Sequence, residues 1–213
     1  MADRTTEDRL REEYFDLLPD IRRVARQLEA EIEYYTLPIS HQLERHERLQ
    51  VISRIKECDS AVDALRRRQE GGTFDPGRPL GYSLTTLRDL AGVRVLVFPP
   101  RRLADVDQAL RERFQSWKSD PFPDENVLGH KYYGHCDAST TVQGEYQILS
   151  MLTGLFWQVE HAAIYKPSPN LKGVAASLEM QQHMTDVLVA IRRFEEEFER
   201  LALLEGEDST ESD

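Results

Sequence analysis

Three polar features interrupt stretches that should be apolar, and they define the chemistry to be explained. In the run Gly144-Glu145-Tyr146-Gln147-Ile148-Leu149, strand side chains alternate between faces, so Glu145 and Gln147 share one face. Asp89 stands just before a second run, LRDLAGVRVLVF, and Arg94 lies inside it. Burying a carboxylate or guanidinium is costly unless it is paired or binds an ion. Each residue has an ordinary structural reading: Asp89 as a helix or turn cap, Arg94 as an edge-strand arginine facing water, Glu145 as a salt-bridge partner of such an arginine. Together they have another. Two acids on separate strands, near arginines and lysines, can assemble a metal–nucleotide site. There Mg2+ takes carboxylate and phosphate oxygens, and the cations neutralise the remaining phosphate charge.

Two further segments could supply such a site. In SRIKECDSAVDALRRR, if helical, Arg54 with Ser60 or Ala61, and Lys56 with Arg67, fall in register for shared faces. A solvated helix face is the plainer meaning of that charge run. HKYYGHCDAS brings Tyr132, Tyr133 and His135 beside a glycine, where aromatics can stack a base or simply pack in a core. His130, His135 and His161 match no standard zinc spacing, and a glycine-rich phosphate loop of the Walker type is absent.

The elements that must position these residues follow from periodicity. Residues 4–36 are helical, with a break expected near Pro19, and residues 40–70 are predicted as a second helical region through Leu43, Leu49, Ile52, Ile55, Val62 and Leu65. The Gly- and Pro-dense stretch 70–83 reads as a loop, 93–98 as a β-branched strand, and 101–114 as a helix. Residues 117–129 form a loop or broken strand, 131–139 and 141–150 two strands, and 151–166 a helix. After a flexible connection at 167–177, a long amphipathic helix covers 177–204 with Ser177 as its N-cap, its stripe covering the core or mediating oligomerisation. That order predicts an α+β fold, a small mixed sheet under N- and C-terminal helices.

Composition sets the outer bounds. The chain has 213 residues, 40% hydrophobic and 31% charged, an ordinary balance for one domain over 1–204. The net charge of −11 argues against general nucleic-acid binding, yet residues 51–118 carry 13 Lys/Arg against 9 Asp/Glu, which suits a small polyanion. Residues 205–213, EGEDSTESD, read as an acidic disordered tail. No apolar run approaches about 18 residues, so no membrane association is expected. The charged N-terminus lacks the apolar core of a signal peptide, and Cys58 and Cys136 are expected to stay thiols in the cytoplasm.

In order, these residues resemble the synthetase domain of the RelA/SpoT family, over residues 50–166 with flanking helices as in the single-domain small alarmone synthetases. RIKECDSAVDALRRR is similar to its basic segment, LRDLAGVRVLVF to its DLAGIRI strand, GEYQIL to its EIQIRT strand and FWQVEHAAIYK to its WAExEHxxxYK helix. The resemblance implies a nucleotidyltransferase-like sheet and transfer of pyrophosphate from ATP to the 3′-hydroxyl of GDP or GTP, giving (p)ppGpp and AMP. It implies Mg2+ held by Asp89 and Glu145, with Glu145 also the base. Arg54, Lys56 and Arg67 would bind ATP phosphates, Ser60 and Arg94 would belong to the nucleotide site, Tyr132, Tyr133 and His135 to the guanine region, Gln147 would order the site, and His161 and Lys166 would support the substrate phosphates or the helix position. The hydrolase portion of the family has no counterpart here.

Three departures stand out: Ala64 where a lysine is expected, a guanine-stacking motif compressed to Lys131-Tyr132-Tyr133-Gly134-His135, and Leu149-Ser150 in place of Arg-Thr. They motivate two other readings. One is a toxic relative acting on adenosine nucleotides or the tRNA 3′ end, with an antitoxin protein as partner; the other is a degenerate nucleotide-binding or regulatory domain. A homo-oligomer is expected in each case.

Overall fold

The apolar stripe that begins at Leu10 runs on to Thr36 and builds one helix rather than two. The computed structural model describes residues 6–70, 83–122, 129–160 and 177–208. Helix α1 spans Thr6–His41 and buries Leu10, Tyr14, Ile21, Val24, Ala25, Leu28, Ile32 and Thr36. Steps of three, four and seven keep that face inward. The break expected at Pro19 does not occur, because Pro19 and Pro38 both lie inside α1 on its exposed side. A proline costs a helix interior about 3 kcal/mol. Each large side chain buried on the other face returns about 1.5–3 kcal/mol. Phe15, whose carbonyl loses its partner to Pro19, is itself exposed, so water can take the bond.

The predicted second helical region is also corrected. Residues Arg48–Ile55 form strand β1, and beyond the end of α1 the helical part of this region is Cys58–Glu70, as α2. Leu49, Ile52 and Ile55 fit a helix face, while Leu49 and Val51 fit an alternating strand equally well. Tertiary pairing decides the matter. β1 runs antiparallel to β2 (Ala91–Phe98) along its whole length, from Arg48 opposite Phe98 to Ile55 opposite Ala91. Arg54 and Lys56 therefore reach the site from a strand and its end, not from a helix.

The other strands are β3 (Lys118–Ser119), β4 (Gly129–Gly134) and β5 (Gly144–Ser150), so the last two begin or end inside the predicted strands. The sheet order is β1-β2-β5-β4-β3, with β2 and β5 parallel and all other neighbours antiparallel. The fold is α+β around a five-stranded mixed sheet, as predicted. One face carries Val93, Val95, Val97, Tyr132, Tyr146 and Ile148 against Leu28 and Ile32 of α1 and Val106 and Leu110 of α3 (Leu103–Arg113). A second cluster joins the N-terminal half of α1 to Ala61, Val62 and Leu65 of α2 and to Leu84, Leu87 and Leu90.

Among the described helices, those on the opposite face pack toward the C-terminal ends of β2 and β5. Helix α4 (Met151–Glu160) lies so close there that a Cβ on Gly154 would stand 2.3 Å from Leu96 Cδ2. Helix α5 (Leu178–Asp208) is capped by Ser177, whose Oγ accepts the Met180 N–H at 3.1 Å, as predicted. Its second half packs Phe194 and Phe198 on Phe98, and Glu195 accepts the Ser150 hydroxyl. Val187, Phe194 and Leu201 of this helix are exposed. Cys58 and Cys136 are free thiols, and burial pushes Cys136 up to about 12. Among the described residues no helix is long and apolar enough to cross a membrane. Most of the 70–83 loop and of the 167–177 connection lies outside the described residues, as does the tail from 209 onward.

Candidate active site

Strand register decides which polar side chains meet. Arg54 of β1 stands opposite Gly92 of β2, Gly92 opposite Glu145 of β5, and Glu145 opposite Tyr133 of β4. On the next rung facing the same way are Ile52, Arg94, Gln147 and Lys131. All of these point away from α1 and α3, because strand side chains two apart share a face. This face of the sheet therefore presents a carboxylate, an amide, three cations and a tyrosine.

Gly92 lets the first rung close. A Cβ there would lie 3.3 Å from Arg54 Nε and 3.4 Å from Arg54 Cγ, so the arginine stem lies across this glycine. Arg54 Nη2 then stands 3.8 Å from Glu145 Oε1 and 3.8 Å from Asp89 Oδ2, bridging the two acids. The Lys56 N–H donates to the Leu90 carbonyl at 3.0 Å, carrying the β1–β2 ladder past the end of β1. That bond brings Lys56 Nζ against Asp89 Oδ2. Neither Asp89 oxygen serves as a cap here: Oδ2 faces Lys56 and Arg54, and Oδ1 is buried with no hydrogen-bond partner.

Glu145 is held by a relay rather than by Arg94 directly. Arg94 Nε donates to Gln147 Oε1 at 3.0 Å, and Gln147 Nε2 donates to Glu145 Oε1 at 2.6 Å. With its carbonyl committed to Arg94, the Gln147 amide can turn only its NH2 to the carboxylate. Among the described residues, Arg94 has no acid in direct contact. Burial, then the nearby Arg54 charge, lower it to about 10, so it stays protonated at neutral pH.

The two carboxyls are pushed in opposite directions. Burial raises both, but at Asp89 the charge and hydrogen bond of Lys56, helped by Arg54 and Arg68, prevail and lower it. At Glu145 burial prevails over the attraction of Arg54, the Asp89 charge adds to it, and the carboxyl is raised. A lowered carboxyl beside a raised one is the separation an acid–base site needs. The pair also suits a divalent cation, since the spare Asp89 Oδ1 and the adjacent Glu145 supply hard oxygen donors and leave positions for water and phosphate.

The remaining predicted site residues divide clearly. Tyr133 faces the carboxylates, whereas Tyr132 points to the other face, stacks on Tyr146 at 4.9 Å and donates to Asp107 Oδ1 at 2.7 Å. Placing Tyr132 at the nucleotide is therefore corrected by the strand alternation. His135 is exposed beyond the end of β4 and has no described contact with the carboxylates. Ser60 is buried in the first turn of α2, and Arg67, exposed on that helix, donates to its own Asp63 carbonyl at 3.4 Å. Arg68 is the α2 cation whose charge acts on Asp89. His161 and Lys166 lie outside the described residues. At the positions of the expected Arg-Thr, Leu149 is fully buried and Ser150 binds Glu195.

Sequence reasoning passed over Arg88, whose guanidinium carbon lies 4.1 Å above the Tyr133 ring centre. Its only signal was adjacency to Asp89. Lys131, also passed over as a cation, pairs with Asp120 at 3.0 Å on the second rung.

No family model matches the chain, and no curated protein matches it significantly. Solved structures do. The small alarmone synthetase 1 from Bacillus subtilis superposes with a TM-score of 0.69 at 17% identity, over 92% of this chain and 99% of that one. Its complex with the product pppGpp gives 0.64 at 17% identity, over 93% and 99%. A GTP pyrophosphokinase family protein from Streptococcus pneumoniae gives 0.69 at 16% identity, over 94% and 98%. The chain thus has the fold of the small alarmone synthetases.

Proposed function

We propose that this chain is a pyrophosphokinase that moves the β,γ-pyrophosphate of ATP to the 3′-hydroxyl of GDP or GTP. The observation that carries the reading is the pair of carboxyls bridged by Arg54, Asp89 lowered by Lys56 and Glu145 raised by burial, set between a cationic side and an aromatic side of one sheet face. Toward β1 and β2 lie Arg54, Lys56 and Arg94, enough positive charge for the phosphates of a donor nucleotide. Toward β4 lies Tyr133, a surface for a base. The likeness to a synthetase crystallised with pppGpp supports the same substrate class.

In this arrangement the acceptor hydroxyl sits at Glu145, which takes its proton as the oxygen attacks the β-phosphorus of ATP. The new O–P bond forms as the bond between the β-phosphorus and the α,β-bridging oxygen breaks, and AMP departs with that oxygen. Gln147 keeps the Glu145 carboxylate aimed, and Arg54 and Arg94 offset charge on the migrating pyrophosphate. Asp89, with Glu145, would hold Mg2+, which when bound neutralises phosphate charge and orients the two nucleotides. The test is purified protein with Mg2+, labelled ATP and either GDP or GTP. Label on the guanosine 3′ position is expected; label on an adenosine nucleotide or on tRNA would reassign the acceptor, and no transfer to any of them would sink the reading.

A further inference from the structure

The guanidinium of Arg88 rests 4.1 Å above the centre of the Tyr133 ring, on the same sheet face as Glu145. That is a full stacking contact, and it occupies the surface a nucleoside would need. Arg88 is exposed and makes no ion pair with any described residue. It also stands apart from the phosphate-side cations. Arg54 and Lys56 reach the carboxylates from β1, and Arg94 reaches Gln147 from β2, whereas Tyr133 lies across β5 on β4. A charge placed for phosphate would face the acids; Arg88 faces a ring.

Resting on the acceptor side of the reading above, we propose that Tyr133 and Arg88 form a clamp for the purine base of the acceptor nucleotide. The pair is closed on itself in the free protein. A base enters when guanidinium and ring part to roughly 7 Å, two stacking distances, and it is then sandwiched between them. The same movement leaves the ribose over Glu145, which is directly opposite Tyr133 in register. The clamp reads a flat π-surface, so it favours purines over pyrimidines by overlap area. Leu87 and Leu90, both fully buried, anchor the short segment that carries Arg88 and Asp89, so the clamp and Asp89 share one support.

Calorimetric titration of GDP and of inorganic pyrophosphate, without ATP, tests the clamp on the whole chain. Arg88→Ala should weaken GDP about tenfold, equivalent to about 1.4 kcal/mol, and leave pyrophosphate unchanged. Arg88→Lys should resemble Arg88→Ala, because an ammonium keeps the charge but cannot stack as a plane. Tyr133→Phe should bind GDP as wild type does, and Tyr133→Leu should lose affinity. Wild-type GDP affinity in Arg88→Ala, or full recovery in Arg88→Lys, overturns the clamp. Should the wild type transfer no pyrophosphate while Arg88→Ala still weakens GDP, the pyrophosphokinase reading falls and the clamp stands. If transfer occurs and Arg88→Ala binds GDP normally, the clamp alone falls, and no purine binding by the wild type removes both. Unchanged thermal unfolding, expected for an exposed arginine, excludes misfolding.

Discussion

Asp89 and Glu145 meet the same arginine at the same 3.8 Å, yet only Asp89 also touches a lysine, and that contact separates their behaviour. Glu145 must instead rely on an amide, which stabilises its ionised form without neutralising it. A raised carboxyl is protonated over a wider acid range, so kcat/KM should fall on acidification at a pH above the ordinary carboxylate value of 4.5. Glu145→Gln should lower kcat by about 100- to 10,000-fold and abolish that acid limb. Gln147→Leu takes away a hydrogen bond that favours ionised Glu145, so the limb should move to higher pH while weaker activity persists. A pH–rate profile of Gln147→Leu with its limb unmoved would remove Glu145 from the base role. Asp89 offers a separate readout: Asp89→Asn should require more Mg2+ for half-maximal rate. The sequence exposed both acids and Gln147 because strand alternation puts i and i+2 on one face. It could not show Arg88 above Tyr133, since that pairing joins residues 45 apart through neighbouring structure.

At the scale of elements, legibility followed the length and regularity of the apolar pattern. β2 was plain because a β-branched run lies between Gly92 and Pro99, β5 because Glu145 and Gln147 alternate with Tyr146 and Ile148 after Gly144, and α3 and α5 because their stripes hold over successive turns. β1 was misread because both its faces are half-covered, which erases the period-two signal a one-sided strand would show. α1 was cut at Pro19 because local chemistry argues for a break, whereas the buried face on either side of it overrides the proline. Pro19→Ala should therefore stabilise the protein by about 1–3 kcal/mol in urea unfolding, with helix content unchanged or slightly higher. A hinge at Pro19 would show no gain. The docking of α4 gives the opposite expectation. A Cβ at Gly154 meets Leu96 Cδ2 at 2.3 Å, so Gly154→Ala should destabilise by about 1–3 kcal/mol despite its better helix propensity.

For the molecule as a whole, the site exists only if β1 and β2 keep their register, since a slip of one residue would turn Arg54 to the wrong face. The far end of that pair is locked by Glu47, whose side chain is 0% exposed. It accepts Arg101 Nη2 at 2.8 Å, Arg102 Nε at 2.9 Å, Arg102 Nη2 at 2.8 Å and the Glu44 N–H at 3.0 Å, tying the entry of β1 to the exit of β2. Burial works against the Glu47 charge, but these bonds prevail and lower it from 4.5 to about 2. Its contribution to stability is therefore full above pH 4.5 and is lost as pH falls toward 2. Glu145 behaves oppositely: its carboxyl is raised, so ionising it costs stability as pH rises from 4.5 through its folded value. One carboxylate holds the frame and another strains the site it serves, the usual relation between a scaffold and its active centre. Glu47→Gln should cost about 3–5 kcal/mol at pH 7 by leaving two arginines without their buried partner. Glu145→Gln should raise the melting temperature at pH 7, and the gain should shrink toward zero as the pH is lowered below 4.5. A melting temperature for Glu145→Gln that falls at pH 7 would mean that Arg54 and Gln147 stabilise the ionised carboxylate more than burial penalises it, and Glu145 would then be a structural anion rather than a poised base.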